Sequence, residues 1–266
     1  MKFTLEENAA DSLRRSVDYF VENTPSGLKA AVKEIVSAIE LYVKQQLAST
    51  DRDPSNPVLV YERFRVRLSG NPPVYDLEPE GTATVRFAQA LERLKWLGHE
   101  LPAIDVAQIN SLKRLRNSLE HHSAIQESDD GRKMYAAVVA FTIRYLHTRL
   151  GKSFLELVDG EHWREALRIE PELRNLAELS ARQVYGGLVA AEDRAVGTTT
   201  CVQCGADCMV PHQSYYGGFR CVVCGFVHEV EECYGCREEF FVGLLTPAEG
   251  DTLLCSACDR RFHEAG

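Results

Sequence analysis

The stretch TPSGLKAAVKEIVSAIELYVKQQL, Thr24–Leu47, decides the fold class. Thr24-Pro25-Ser26 is a helix-start signal, with Ser26 as the candidate cap and proline in the first turn, where its missing N–H costs nothing. Behind it Leu28, Val32, Ile35, Ile39, Leu41, Val43 and Leu47 recur every three or four positions. That period puts one apolar stripe on a helix too long to be buried by anything but other helices.

The same period extends on both sides. Helices are expected over Leu5–Val21, about Ala83–Leu97, Ile104–His122 and Lys133–Leu150, with shorter ones over Glu161–Ile169 and from Pro171. Long helices with one apolar face each fold most simply into a bundle. Between the second and third helices lies a segment too long for a bundle loop, carrying Pro54, Pro57, Pro72, Pro73 and Pro79. Inside it VLVYERFRVRL alternates. Val60, Phe64, Val66 and Leu68 share one face, which Glu62 interrupts, and Tyr61, Arg63, Arg65 and Arg67 share the other. A short hairpin insertion at about 55–80 follows from this alternation. Its three arginines read either as a solvated face or as a phosphate-binding stripe.

Beyond Val196–Thr200 the helical period stops and cysteine pairs begin: Cys201/Cys204, Cys221/Cys224, Cys233/Cys236 and Cys255/Cys258. Two-residue spacing brings two sulfurs onto one ion, and a second pair some 16 residues on completes a tetrahedral zinc site. Sequential pairing makes each half a complete zinc ribbon with its own hairpin. The alternative is cross-bracing, first pair with third and second with fourth, as in RING-type modules. Gly205 and Gly225 follow two of the pairs, which suits tight knuckles with N–H groups aimed at sulfur. Cys208 is the odd thiol, and His212, His228 and His263 lie close enough to the pairs to substitute for a ligand; the alternative for each is a packing or surface residue. With four protein ligands per ion no position is left for water or substrate, so both zinc ions would be structural.

Charge and composition narrow the function. The chain has 266 residues and a net charge of −9, with no apolar run of about 18 residues and no signal-peptide core at its start. A cytoplasmic, non-membrane protein is expected, in which nine cysteines are metal ligands before they are disulfides. From residue 199 onward four basic residues face ten acidic ones. Each zinc held by four thiolates adds about −2 more. Phosphate backbones would be repelled there, so a protein partner or a dimer contact suits the cysteine end better than nucleic acid.

In the fourth helix Ile109, Leu112, Leu115 and Leu119 form the apolar stripe, and His122 flanks it. Arg116, Asn117 and His121 fall outside the stripe, with Lys113 and Arg114 just before them. Arg116-Asn117-Ser118-Leu119-Glu120-His121 resembles the R-x-x-x-x-H motif of the HEPN superfamily (higher eukaryotes and prokaryotes nucleotide-binding), including the polar residue after the arginine. AVKEIVSAIELYVKQQL, TVRFAQALERLKWLG and INSLKRLRNSLEHH resemble successive helices of that family, over roughly Leu5–Leu150. The resemblance implies a mainly α, HEPN-like bundle, usually dimeric. It also implies a metal-independent endoribonuclease of toxin or antiviral host-defence type. His121 would then be general acid or base, Arg116 the phosphate clamp and Asn117 the orienting group. Arg63, Arg65, Arg67, Lys113 and Arg114 would be RNA contacts. Arg116 and His121 are about 140° apart on one helix, so a composite site in a homodimer is expected. The runner-up is a catalytically inactive HEPN-like adaptor that binds proteins through its acidic zinc end. The expected organisation is therefore a bundle over 1–158, a helical connector over 159–198 and a double zinc ribbon over 199–266.

Overall fold

A computed structural model describes residues 4–54, 57–69, 74–121, 128–185, 200–211, 218–241, 245–247 and 252–264. The chain divides into two compact units, Met1–Asp159 and Gly160–Gly266.

The first unit contains α1 (Leu5–Val21), α2 (Pro25–Ser49), β1 (Phe64–Ser69), β2 (Val74–Pro79), α3 (Phe87–Trp96), α4 (Ala103–His121), α5 (Ser128–Leu150) and a 3-10 turn at Phe154–Glu156. A capping box starts α1: Thr4 Oγ1 accepts from Glu7 N–H at 3.1 Å, and Glu7 Oε2 accepts from Thr4 N–H at 2.8 Å. The cap of α2 is Thr24, whose Oγ1 accepts from Gly27 N–H at 2.9 Å, and not Ser26. Proline at the first helical position leaves the residue before it extended, and that is the conformation a cap requires.

The central element is α2, which meets α1, α3, α4 and α5. It buries Leu28, Val32, Ile35, Ile39, Val43 and Leu47 as the stripe requires, but Tyr42 is fully buried where Leu41 is only partly so. Polar pins hold the packing in register. Ser16 Oγ donates to the Ala31 carbonyl at 2.9 Å and lies 3.0 Å from the Tyr135 hydroxyl, and Tyr145 Oη donates to Gln46 Oε1 at 2.5 Å. Phe20 stacks on Tyr135, with ring centroids 4.4 Å apart. Among the described residues no helix is long and apolar enough to cross a membrane.

The insertion departs from the alternating pattern at both ends. β1 begins only at Phe64, and the chain before it wraps around two charged side chains. Asp51 Oδ2 accepts from Val58 and Leu59 N–H at 2.7 and 2.8 Å. Arg93 of α3 donates to the carbonyls of Leu59, Tyr61 and Glu62 at 2.5, 2.6 and 3.0 Å. The same segment pairs with the chain ahead of α3 through an isolated antiparallel bridge at Tyr61 and Thr84, where Glu62 N–H donates to the Ala83 carbonyl at 2.8 Å and Val85 N–H to the Val60 carbonyl at 2.9 Å. In the hairpin itself Val66 pairs with Leu77, yet Val66 is 59% exposed. The expected buried face is therefore a solvent-facing one at this position.

The second unit contains α6 (Gly160–Ile169), α7 (Pro171–Tyr185), β3 (Met209–Pro211), β4 (Gly218–Cys221), β5 (Val227–Glu232), β6 (Glu239–Phe241), β7 (Leu245–Pro247), β8 (Leu253–Cys255) and α8 (Ser256–Glu264). β3–β4–β5–β6 form one antiparallel sheet and β7–β8 a separate hairpin. The stretch expected as a separate connector falls in this unit, and its helices pack with the cysteine-bearing residues. Trp163 Nε1 donates to the Val223 carbonyl at 2.7 Å. Arg182 of α7 donates to the Asp207 carbonyl at 2.6 Å. Trp163, Ala166 and Leu167 make the buried face of α6, and Leu173, Ala177, Ser180 and Ala181 that of α7.

Candidate functional site

The four pairs of cysteines gather into two sets, Cys201, Cys204, Cys221 and Cys224, then Cys233, Cys236, Cys255 and Cys258, with the sulfurs of each set within 4.8 Å of one another. Sequential pairing is thus the arrangement adopted, and cross-bracing is not. A tetrahedral ion bonded at about 2.3 Å needs sulfurs about 3.8 Å apart. The separations are 3.6 Å for Cys201–Cys224, 3.7 Å for Cys204–Cys221 and 4.0 Å for Cys236–Cys255. Both sets fit one metal ion each.

Local backbone geometry makes the first set. Gly205 and Gly225 have φ of 72° and 75°, and their N–H groups donate to the carbonyls of Cys201 and Cys221 at 2.7 and 2.8 Å. The knuckle glycines therefore close turns on the carbonyl oxygen of the first cysteine of each pair. They are glycines because the left-handed backbone is open to them without strain. β3, β4 and β5 complete a ribbon around this set.

The second set is built differently. Cys233–Arg237 repeats the knuckle, with Arg237 at φ 63° donating to the Cys233 carbonyl at 2.9 Å. Its other pair, however, straddles the end of β8 and the first turn of α8, so the expected second ribbon is a knuckle, a hairpin and a helix. Gly235 allows the approach: a Cβ there would lie 2.8 Å from Cys258 Sγ and 2.9 Å from Cys258 Cβ. Leu245, Leu254, Cys233 and Cys255 form the small core beneath, with Phe240 and Leu253 packed against it.

Thiol acidity follows from the crowding. Hydrogen bonds from Cys204, Cys221 and Cys224 favour a thiolate at Cys201, and Cys204, Cys221 and Cys224 are pushed up in turn. Without a cation the set keeps protons, whereas a divalent ion would replace them. Burial works against ionisation of Cys233, but backbone N–H groups of Cys255, Cys236 and Gly235 bring its thiol down to about 6. The ninth thiol, Cys208, belongs to neither set. It is buried under the Glu178 carbonyl, and burial pushes it up to about 12.

Of the histidines near the pairs, His228 is neither loose packing nor surface. It is 3% exposed, and its Nε2 lies 3.1 Å from Cys201 Sγ. No local pattern could have found this contact, because the partners are 27 residues apart. His212 and the His263 side chain lie outside the described residues.

In the first unit, α4 runs unbroken from Ala103 through Arg116 and Asn117 to His121. The side chains of Leu112, Leu115, Arg116, Asn117, Leu119 and His121, and all of His122, lie outside the described residues. The helix is anchored by buried Ile109 and by Asp105, whose Oδ1 accepts from Arg144 of α5 at 3.1 Å. Lys113 Nζ sits 3.9 Å over the Phe87 ring in a shallow crevice that Val36, Ile39, Glu40 and Ile109 also line. Arg114 is exposed and donates to Ser111 Oγ at 3.1 Å.

The hairpin arginines are partly neutralised. Arg65 donates twice to Glu78 Oε2, at 3.0 and 2.7 Å, and Arg67 once to Oε1 at 2.8 Å. Arg67 and then Arg65 hold the Glu78 carboxyl below the usual range. Arg63 is exposed. No family model, curated protein or solved structure matches this chain.

Proposed function

We propose that the chain is a metal-independent endoribonuclease whose site is assembled from two copies of α4, and that the cysteine sets each hold a structural zinc ion. The observation that carries the reading is the unbroken helical path of α4 from Lys113 to His121. It gives Arg116, Asn117 and His121 helical spacing, with two cations one turn upstream. RNA supplies its own nucleophile, the 2'-hydroxyl beside the scissile phosphate, so the protein need only move protons and stabilise charge. His121 takes or gives the proton, a contribution of roughly 10²–10⁴-fold in rate. The Arg116 guanidinium neutralises the developing phosphorane-like charge, and Asn117 orients the imidazole. The products are a 2',3'-cyclic phosphate and a 5'-hydroxyl end. An angle of about 140° between Arg116 and His121 on one helix is why the reading requires a homodimer, in which a two-fold axis supplies both groups from two chains. A cytosolic toxin or host-defence role accords with free cysteines gathered in metal-sized sets and with no membrane-length helix among the described residues.

The test is incubation of the purified protein with total RNA beside Arg116→Ala and His121→Ala, with fragment ends mapped and the association state checked by sedimentation. Loss of cleavage in both variants with dimers intact is expected. A dimeric His121→Ala protein that cuts as fast as wild type sinks the reading. The adaptor alternative draws on the exposed Val202, Phe226, Val227 and Tyr234 in a strongly acidic unit. It predicts no cleavage of RNA by wild type or by either variant.

A further inference from the structure

We infer that His228 is a hydrogen-bond donor to the metal-bound Cys201 sulfur, holding the direction and charge of that ligand in the first cysteine set. The inference rests on the reading that this set holds zinc. Three features of the site carry it. His228 Nε2 lies 3.1 Å from Cys201 Sγ, and both residues are buried, so no water competes for the contact. The ring is fixed on β5, opposite Phe219 of β4, with its edge against Phe226 at 4.9 Å between centroids and 71° between planes. Finally, a zinc-bound cysteine sulfur is a thiolate, which has acceptor capacity only. The ring nitrogen facing it is therefore the donor.

The need for such a donor is electrostatic. An ion held by four thiolates leaves about −2 of charge in a buried place, and β5 itself adds Glu229, Glu231 and Glu232 nearby in sequence. A buried anion is stabilised by donors aimed at it, since no solvent is available to do so. In the second set a backbone N–H does this work, from Cys255 to Cys233 Sγ at 3.2 Å. In the first, a side chain supplies it, and a side chain can be removed without touching the ligands or the backbone.

The experiment uses the full chain loaded with two zinc ions, as wild type, His228→Gln and His228→Phe, titrated with a zinc chelator. Glutamine can place an amide N–H near the position of Nε2; phenylalanine keeps the ring and loses the donor. In His228→Phe one of the two zinc ions should be released at about 10–100-fold lower chelator activity, with the other unchanged and His228→Gln close to wild type. With cobalt in place of zinc, the sulfur-to-metal charge-transfer band of His228→Phe should move to lower energy, because an unbonded thiolate gives up its electrons more readily. Equal affinity of both ions in His228→Phe and wild type overturns the inference, as does a folded His228→Gln that is as weak as His228→Phe. Imidazole ¹⁵N shifts of the wild-type zinc protein decide independently of folding in the variants: a bare Nε2 facing Cys201 also overturns it. A wild-type chain that binds no zinc sinks the underlying reading instead, so the two failures are distinguishable.

Discussion

Of the ten largest fully buried side chains among the described residues, nine lie in Met1–Asp159 and one, Trp163, in Gly160–Gly266. The first unit is a conventional apolar core organised around α2, with Leu13, Phe20, Tyr42, Phe141 and Leu146 fully buried. Among the described residues the second unit buries Trp163 and a few medium side chains, Leu167, Leu173, Met209, Val223, Leu245 and Leu254, and beside them alanine and cysteine: Ala166, Ala177, Ala181 and Ala206, with six of the nine thiols. Small side chains remove little apolar area from water, at about 25 cal/mol per Å², so this unit needs another source of stability. Its two cysteine sets, each of a size to hold one metal ion, are the source we propose. A structural zinc contributes apparent binding free energies of about 10–16 kcal/mol in small modules. One unit is held by volume; the other has the ligands to be held by coordination.

The largest effect that distinguishes them is metal removal. Stripping the ions with a chelator, or Cys221→Ser for the first set alone, should unfold the cysteine-bearing part while α1–α5 keep their far-ultraviolet helical signal. The two tryptophans report separately, since Trp96 is 74% exposed and Trp163 is fully buried. Trp163 emission should shift to the red on metal loss, and Trp96 emission should stay where it is, with Trp96→Phe as the control. If Trp163 emission does not move after both ions have left, coordination is not what holds the second unit and the contrast fails.

A core truncation in α2 tests the other side. Ile35 is fully buried, and Ile35→Ala should lower the stability of the bundle by about 2–5 kcal/mol through lost burial and the cavity left behind. Urea unfolding followed by helical circular dichroism measures it, and zinc affinity should not change. A cost under about 1 kcal/mol would mean that the site collapses around the alanine and that α2 is not the organising element.

The contrast also explains what was legible in the sequence. Helix positions in the first unit follow from a 3.6-residue period, which is a local property, and α1 and α5 end where the apolar pattern ends, at Val21 and Leu150. The cysteine sets were equally local in their pairs, and their sequential grouping followed from hairpins short enough to close on one ion. What escaped notice depends on contacts far apart in the chain. Arg93 satisfies carbonyls 31 to 34 residues away, and so ties the segment before β1 to α3. His228 reaches Cys201 across 27 residues. The straddling of β8 and α8 by Cys255 and Cys258 was hidden because a two-residue spacing fits both a knuckle and a helical first turn. Likewise the apolar faces of α6 and α7 are plain in the sequence, but amphipathicity does not say what a face packs against.

That last point gives the smallest and most specific effect. The Trp163 indole is the largest fully buried side chain among the described residues, and its N–H donates to the Val223 carbonyl, between Cys221 and Cys224 of the first set. Trp163→Phe keeps an aromatic ring but leaves that buried carbonyl without its donor, which should cost about 1–3 kcal/mol. The loss should appear in the thermal midpoint of the zinc-loaded second unit and leave the bundle transition in place. Its size relative to metal removal is informative in itself: a helix that only decorates a self-sufficient ribbon would show no change. A measurable loss means that α6 and the knuckle at Cys221–Cys224 fold as one body, with the ion fixing the backbone and the indole reading its position.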